Sequence, residues 1–205
     1  MLYFRQILIL LTSLYTVRIV LQALGAEDYG IYNVVAGTVT MFGFLSSSMA
    51  TASQRFFSFE MGQGNAEKLQ RIFSLMFIIY VILAIFIFAA AETVGLWFLK
   101  NKLVIPEERL KAAFWIYQFT ILSFIITILT TPYMAAIIAH ENMKIYAYAG
   151  IAEAALKFAV ALSLRFLPFD KLTIYGFLLM LVTSINTAVY RFYCAAHYPD
   201  RKSVV

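Results

Sequence analysis

Ile72-Phe-Ser-Leu-Met-Phe-Ile-Ile-Tyr80-Val-Ile-Leu-Ala-Ile-Phe-Ile-Phe-Ala-Ala-Ala91 is a run of 20 residues without one charge. A helix rises about 1.5 Å per residue, so such a run covers roughly 30 Å, the thickness of the hydrocarbon layer of a bilayer. Similar stretches lie on both sides of it. The spans are placed at about 2–24, 31–53, 72–91, 113–139, 146–167 and 173–194. They predict an all-α fold, a polytopic membrane bundle of six transmembrane helices filling residues 1–198, with 199–205 a cytoplasmic tail or the start of a linker.

Composition agrees. Residues are 62% hydrophobic and 13% charged, a mix that a soluble domain of this size has no core volume to use. The formal charge of +5 does not point to nucleic acid, because the basic residues sit singly at span ends rather than in a stripe. One cysteine, Cys194, rules out a disulfide framework within the chain. The first apolar run is too long for a cleaved signal peptide and no small-residue cleavage site follows it, so span 1 is expected to stay. Almost no basic segment precedes it, which fits a native start upstream of Met1.

With the N-terminus inside, the inner segments hold eight Lys and Arg and the outer ones six, which predicts both termini in the cytoplasm. The second loop, Gln54 to Gln70, places Phe56, Phe57 and Phe59 beside Arg55, a composition for the headgroup boundary, and Asn65 reads as the N-cap of span 3. In the third loop Trp97 reads as an interfacial anchor. Pro106 followed by Glu107 and Glu108 reads as a helix start, with Glu107 and Lys111 spaced as an i,i+4 pair. The short remaining loops predict that spans 1–2, 4–5 and 5–6 are antiparallel neighbours.

Polar residues recur along faces of three spans: Asn33, Gly37, Thr40, Ser47 and Thr51 in span 2; Thr120, Ser123, Thr127 and Thr130 in span 4; Thr183, Asn186, Thr187 and Tyr190 in span 6. Such faces serve either close helix packing or the wall of a hydrated cavity, and three of them favour a shared polar interior. Pro132 removes one backbone bond late in span 4 and predicts a kink, with Thr130 and Thr131 near enough to satisfy the freed groups.

By these boundaries Arg18, Glu153 and Lys157 are the charges that fall inside spans rather than near their ends. Arg18 either snorkels to the headgroups or turns its planar donor fork inward, where it suits a phosphate. Glu153 and Lys157 stand four apart, the favourable order for a pair, which is either structural or part of a substrate-binding or proton-coupled site. No catalytic set, glycine-rich phosphate loop or metal-ligand spacing appears, and the two histidines, His140 and His197, sit near membrane boundaries. No enzyme, metal or cofactor is expected.

The run Arg18-Ile-Val-Leu-Gln-Ala-Leu-Gly25-Ala-Glu-Asp-Tyr29-Gly30-Ile-Tyr32-Asn33, then Gln54-Arg55-Phe56, resembles the polysaccharide flippases of the multidrug/oligosaccharidyl-lipid/polysaccharide exporter superfamily. So do Pro132-Tyr-Met-Ala-Ala-Ile-Ile-Ala-His140-Glu141 and the Glu153 to Lys157 segment. The resemblance implies a multi-pass protein of the bacterial inner membrane. It would move undecaprenyl-diphosphate-linked oligosaccharide to the periplasmic leaflet for surface polysaccharide or lipopolysaccharide, by alternating access between two lobes. Arg18, Arg55 and Lys157 are then the candidate cations of a central cavity, with Glu153, Asn33, Thr40 and Ser47 as further lining. Six spans correspond to one lobe, so the chain is expected to be an N-terminal fragment or to pair with a second copy. The expected partners are the lipid bilayer, the lipid-linked oligosaccharide and a second lobe. A multidrug-type exporter lobe and a non-transporting membrane scaffold are the alternatives; the first should use buried acids, the second needs no interior cations.

Overall fold

The computed structural model describes residues 2–63, 66–103, 105–166 and 170–197. These form α1 (Leu2–Thr40), α2 (Gly43–Gly62), α3 (Ala66–Ala90), a π-helical segment (Ala91–Gly95), α4 (Leu96–Asn101), a short 3-10 turn (Glu107–Arg109), α5 (Leu110–Ala139), α6 (Met143–Ser163) and α7 (Lys171–His197). No strand occurs among the described residues. Five helical stretches are long and apolar enough to cross a membrane: Arg5–Thr40, Glu67–Leu99, Glu107–Ala139, Met143–Ser163 and Lys171–His197. Asn65 and the tail 199–205 lie outside the described residues.

The predicted loop between spans 1 and 2 shrinks to one residue. Gly25 alone leaves helical geometry, at φ 84° and ψ 168°, and divides α1 into two helices. That region of backbone space is open almost only to glycine, so the turn needs this residue type. Asp28, between the predicted spans 2–24 and 31–53, sits buried in a helix, its Oδ1 3.2 Å from Arg109 Nε. Span 2 is likewise not one rod from 31 to 53. Helix runs to Thr40, breaks at Met41 and Phe42, and resumes as α2 through the 54–62 segment expected to be loop. Span 3 is longer than expected, because the π-helical segment joins α3 to α4 and carries the helix on to Asn101. Tyr117 Oη donates to the Ala91 carbonyl at 2.7 Å, occupying an acceptor in that irregular stretch.

Pro106 does precede a helix start, as the sequence predicts, through the 3-10 turn. The ion pairs there are Arg109 with Asp28 and with Asp170 at 3.1 Å, rather than Glu107 with Lys111. Helix α5 passes through Pro132, and the hydroxyls of Thr130 and Thr131 bond to the Ile126 and Thr127 carbonyls, not to the Ile128 carbonyl that proline leaves free.

Helix α5 is the centre of the bundle and touches α1, α2, α3, α6 and α7. Its Ile116, Tyr117 and Ile121 pack on Ile31, Val35 and Val39, and its Ile128 packs on Tyr80, Ala84 and Ile87. The most extensive pairings are α5 with α7 and α1 with α6, so sequence neighbours touch less than the short loops suggested. One end of the bundle gathers Gln22, Asp28, Arg109, Arg165, Asp170 and Lys171. At the other, Phe57 stacks on Phe73, Phe73 meets Tyr133, and Asn142 donates to Tyr193. Ile78, Ile82, Ile85 and Phe86 of α3 are all more than half exposed, a lipid-facing ridge.

Candidate functional site

Four helices place polar side chains around one interior space. Glu153 and Lys157, one turn apart on α6, form the predicted pair, with Lys157 Nζ 2.6 Å from Glu153 Oε1. The other carboxylate oxygen accepts from Asn186 Nδ2 of α7 at 2.8 Å, so both oxygens have a donor. Thr130 of α5 and Thr187 of α7 share a hydroxyl hydrogen bond at 2.6 Å. Two of the polar faces read from the sequence therefore do meet, on α5 and α7, and they meet the charged pair.

Arg5 of α1 completes the group. Its guanidinium carbon lies 4.2 Å from the centroid of the Tyr146 ring, a cation–π contact. Its Nε is buried without a hydrogen-bond acceptor. A Cβ added to Gly150 would stand 2.9 Å from that Nε, so the missing side chain of Gly150 is what lets Arg5 lie against α6.

Two cavities adjoin at these residues and share Arg5, Gly150 and Glu153. One, of about 190 Å³, extends between α5, α6 and α7 toward Thr130, Asn186 and Tyr190. The other, of about 300 Å³, extends along α1 and α6 past Thr12 and Thr16 to Lys157. Among the described lining residues Arg5 and Lys157 are cations and Glu153 is the one carboxylate, so the walls carry an excess of one positive charge. With hydroxyls and an amide around it, the space can receive an anion of modest size, and it offers no nucleophile paired with a base. Among the described residues no group of three or more His, Cys, Asp and Glu comes together.

Of the seven residues read from the sequence, Glu153 and Lys157 line these cavities and the others do not. Arg18 is exposed, like Tyr15 and Gln22 beside it, because the face of α1 that packs inward carries Arg5, Thr12, Thr16 and Val20 instead. Arg55 is exposed on α2. Asn33, Thr40 and Ser47 are exposed too, and each donates to its own helix, at the Tyr29, Gly37 and Phe44 carbonyls.

Three interior charges escaped the sequence reading. Arg5 stands too near Met1 to look deep, and its partners are on a distant helix. Asp28 falls between predicted spans, where no pattern in the sequence signals its burial. Glu92 was placed just past the end of span 3, whereas the continued helix carries it within the apolar stretch, with Oε1 buried and without a hydrogen-bond partner. Compared with protein families, with curated proteins and with solved structures, the chain matches none.

Proposed function

We propose that this chain is a six-crossing lobe of a transporter that moves undecaprenyl-diphosphate-linked oligosaccharide across the bacterial inner membrane for surface polysaccharide synthesis. The observation that carries the reading is the cation excess at Arg5, Glu153 and Lys157. A membrane interior tolerates charge only where it has a use, and an uncompensated cation in a hydroxyl-lined cavity suits an anionic headgroup. The sixth crossing comes from dividing α1 at Gly25. Residue 28 then pairs with the Arg109 end of the bundle, and Phe57 of the same bent helix pairs with the Phe73 and Tyr133 end. An even number of crossings puts both termini on one face and allows a second lobe, from a longer chain or a second copy, to sit alongside in the same orientation. The exposed polar residues Asn33 and Thr40 of α1 and Ser47 of α2 mark where that lobe would close the pathway.

The multidrug-exporter alternative draws on Glu92, whose Oε1 is buried without a hydrogen-bond partner, as an interior acid besides Glu153 and Asp28. Glu92 lines neither cavity, however, and the larger cavity, with Arg5 and Lys157 against Glu153, carries an excess positive charge, which favours an anionic cargo. Deletion of the gene should abolish surface polysaccharide and leave lipid-linked oligosaccharide in the cytoplasmic leaflet. Complementation by Arg5→Ala or Lys157→Ala should fail, and Arg5→Ala should do so at normal membrane levels of protein. Full complementation by both variants, or loss of cationic-dye efflux as the phenotype of deletion, would overturn the proposal.

A further inference from the structure

Glu153 stands beside two cations and is bonded to one. Its Oε1 faces Lys157 Nζ and its Oε2 faces Asn186, while Arg5, lining the same two cavities, keeps a buried Nε without an acceptor. The ion pair is not sealed: the Lys157 and Glu153 side chains are 44% and 30% exposed, and both line the larger cavity. An entering anion therefore reaches Lys157 without prior unpacking of the helices.

The spacing suits an extended anion. Arg5 lies against Gly150, and the Lys157 ammonium is drawn back along α6 to the carboxylate of Glu153. Arg5 thus approaches α6 at Gly150 and Lys157 is held at Glu153, three residues further along the helix, so one wall presents two cations at separate points. A diphosphate spreads its negative oxygens over two linked phosphoryl groups and has oxygens for both. Once its oxygens approach Lys157, they compete for the ammonium with the carboxylate already there.

We infer that Glu153 is an internal counter-anion that competes with the diphosphate of the substrate for Lys157, so that it sets how tightly the headgroup is held and how readily it leaves. This rests on the proposed transport of a diphosphate-linked lipid. Arg5, unpaired, receives the headgroup first; Lys157 joins when its carboxylate partner is displaced. Before binding, the pair keeps Lys157 compensated inside the membrane. After binding, the carboxylate waits one turn from the ligand and repels it. Glu153 thus acts through Lys157 as a positioning residue and weakens binding in favour of turnover.

The test is equilibrium and stopped-flow binding of farnesyl diphosphate, with inorganic pyrophosphate as a second probe, to the purified chain in lipid nanodiscs. Glu153→Gln keeps the shape and removes the charge. It should tighten farnesyl diphosphate binding by about tenfold, chiefly through slower dissociation, since loss of one nearby repulsion outweighs a tenfold change at this range. Lys157→Met should weaken binding, and Glu153→Gln combined with Lys157→Met should return it to within about threefold of the parent, a rescue that non-additivity of contacting residues allows. Pyrophosphate should follow the same order of variants with lower affinity throughout.

A merely structural Glu153 gives a different pattern, in which Glu153→Gln binds more weakly or equally and the double variant shows no return. With the parent still binding farnesyl diphosphate, that result overturns the counter-anion role and leaves the transport reading standing. Failure of the parent to bind either probe, or binding unchanged in Arg5→Met, overturns both. Preference for free pyrophosphate over the prenyl compound overturns the lipid-linked substrate.

Discussion

Gly25 is the position where one methyl group tests the architecture. Its φ of 84° with ψ of 168° lies where a side-chain-bearing residue meets its own backbone, and no heavy atom stands within 4 Å of a Cβ added there. Gly25→Ala therefore isolates a backbone cost from any packing clash, and such conformations cost about 1–3 kcal/mol for non-glycine residues. Gly30 supplies the control. It is equally open, with nothing within 4 Å of an added Cβ, but lies in regular helix, where alanine gains up to about 1 kcal/mol. The assay is thermal unfolding in detergent, followed by the fluorescence of Trp97 and Trp115. At about 2–4 °C per kcal/mol for a chain of this size, Gly25→Ala should melt about 2–12 °C below the parent. Gly30→Ala should melt at or above it. If Gly25→Ala melts with the parent, the turn is not held by the backbone preference of glycine and the proposed division of α1 into two membrane crossings loses its physical basis.

Other predictions follow from the same contacts. Replacing Glu153 or Lys157 singly by leucine should cost about 2.5–3.5 kcal/mol, the penalty for one uncompensated charge in a bilayer, whereas replacing both should cost less than either; membrane yield and melting temperature measure this, and additive losses would refute pairing. Tyr117→Phe strips the donor from the Ala91 carbonyl and should destabilise by about 1–3 kcal/mol, read as a lower melting temperature with unchanged helix content by circular dichroism. Cysteine placed at Asn101 should react with a membrane-impermeant maleimide in intact cells, and cysteine at Asn65 should react only after permeabilisation; the reverse pattern would invert the orientation.

Spans 3 to 6 were legible because long uncharged runs have one stable state in a bilayer, with every backbone group bonded within its own helix. The Glu153 to Lys157 spacing and the Thr130, Asn186 and Thr187 faces were legible for a related reason: helical periodicity places them, and lipid forbids them an outward life. What the sequence concealed was direction and partner. Span 1 is apolar on nearly every side, so depth alone singled out Arg18, although packing turns that residue outward and Arg5 inward. Asp28 read as loop because its neutralising partner, Arg109, arrives from another helix. The break at Gly25 compresses into one residue what composition spread over six, because a glycine in that conformation breaks the helix without a linker. The π-helical segment leaves no periodicity signal, and it hid the true end of span 3 and the place of Glu92.

The central position of α5 has a consequence for how the protein is made. Helix α5 is finished about 100 residues after α1, which at roughly 5–20 residues per second leaves the early helices in the membrane for about 5–20 s without the element they pack on. Their waiting faces, with Val35, Tyr80 and Ile87, are apolar and rest against lipid at little cost, and Ser53 already has Tyr80 as its hydroxyl partner. Inserted helices begin to assemble when Leu110–Ala139 leaves the ribosome, and α6 and α7 complete the bundle after it. A chain arrested before that point would be threaded through the membrane correctly and yet remain loose, a substrate for the proteases that clear orphan membrane helices.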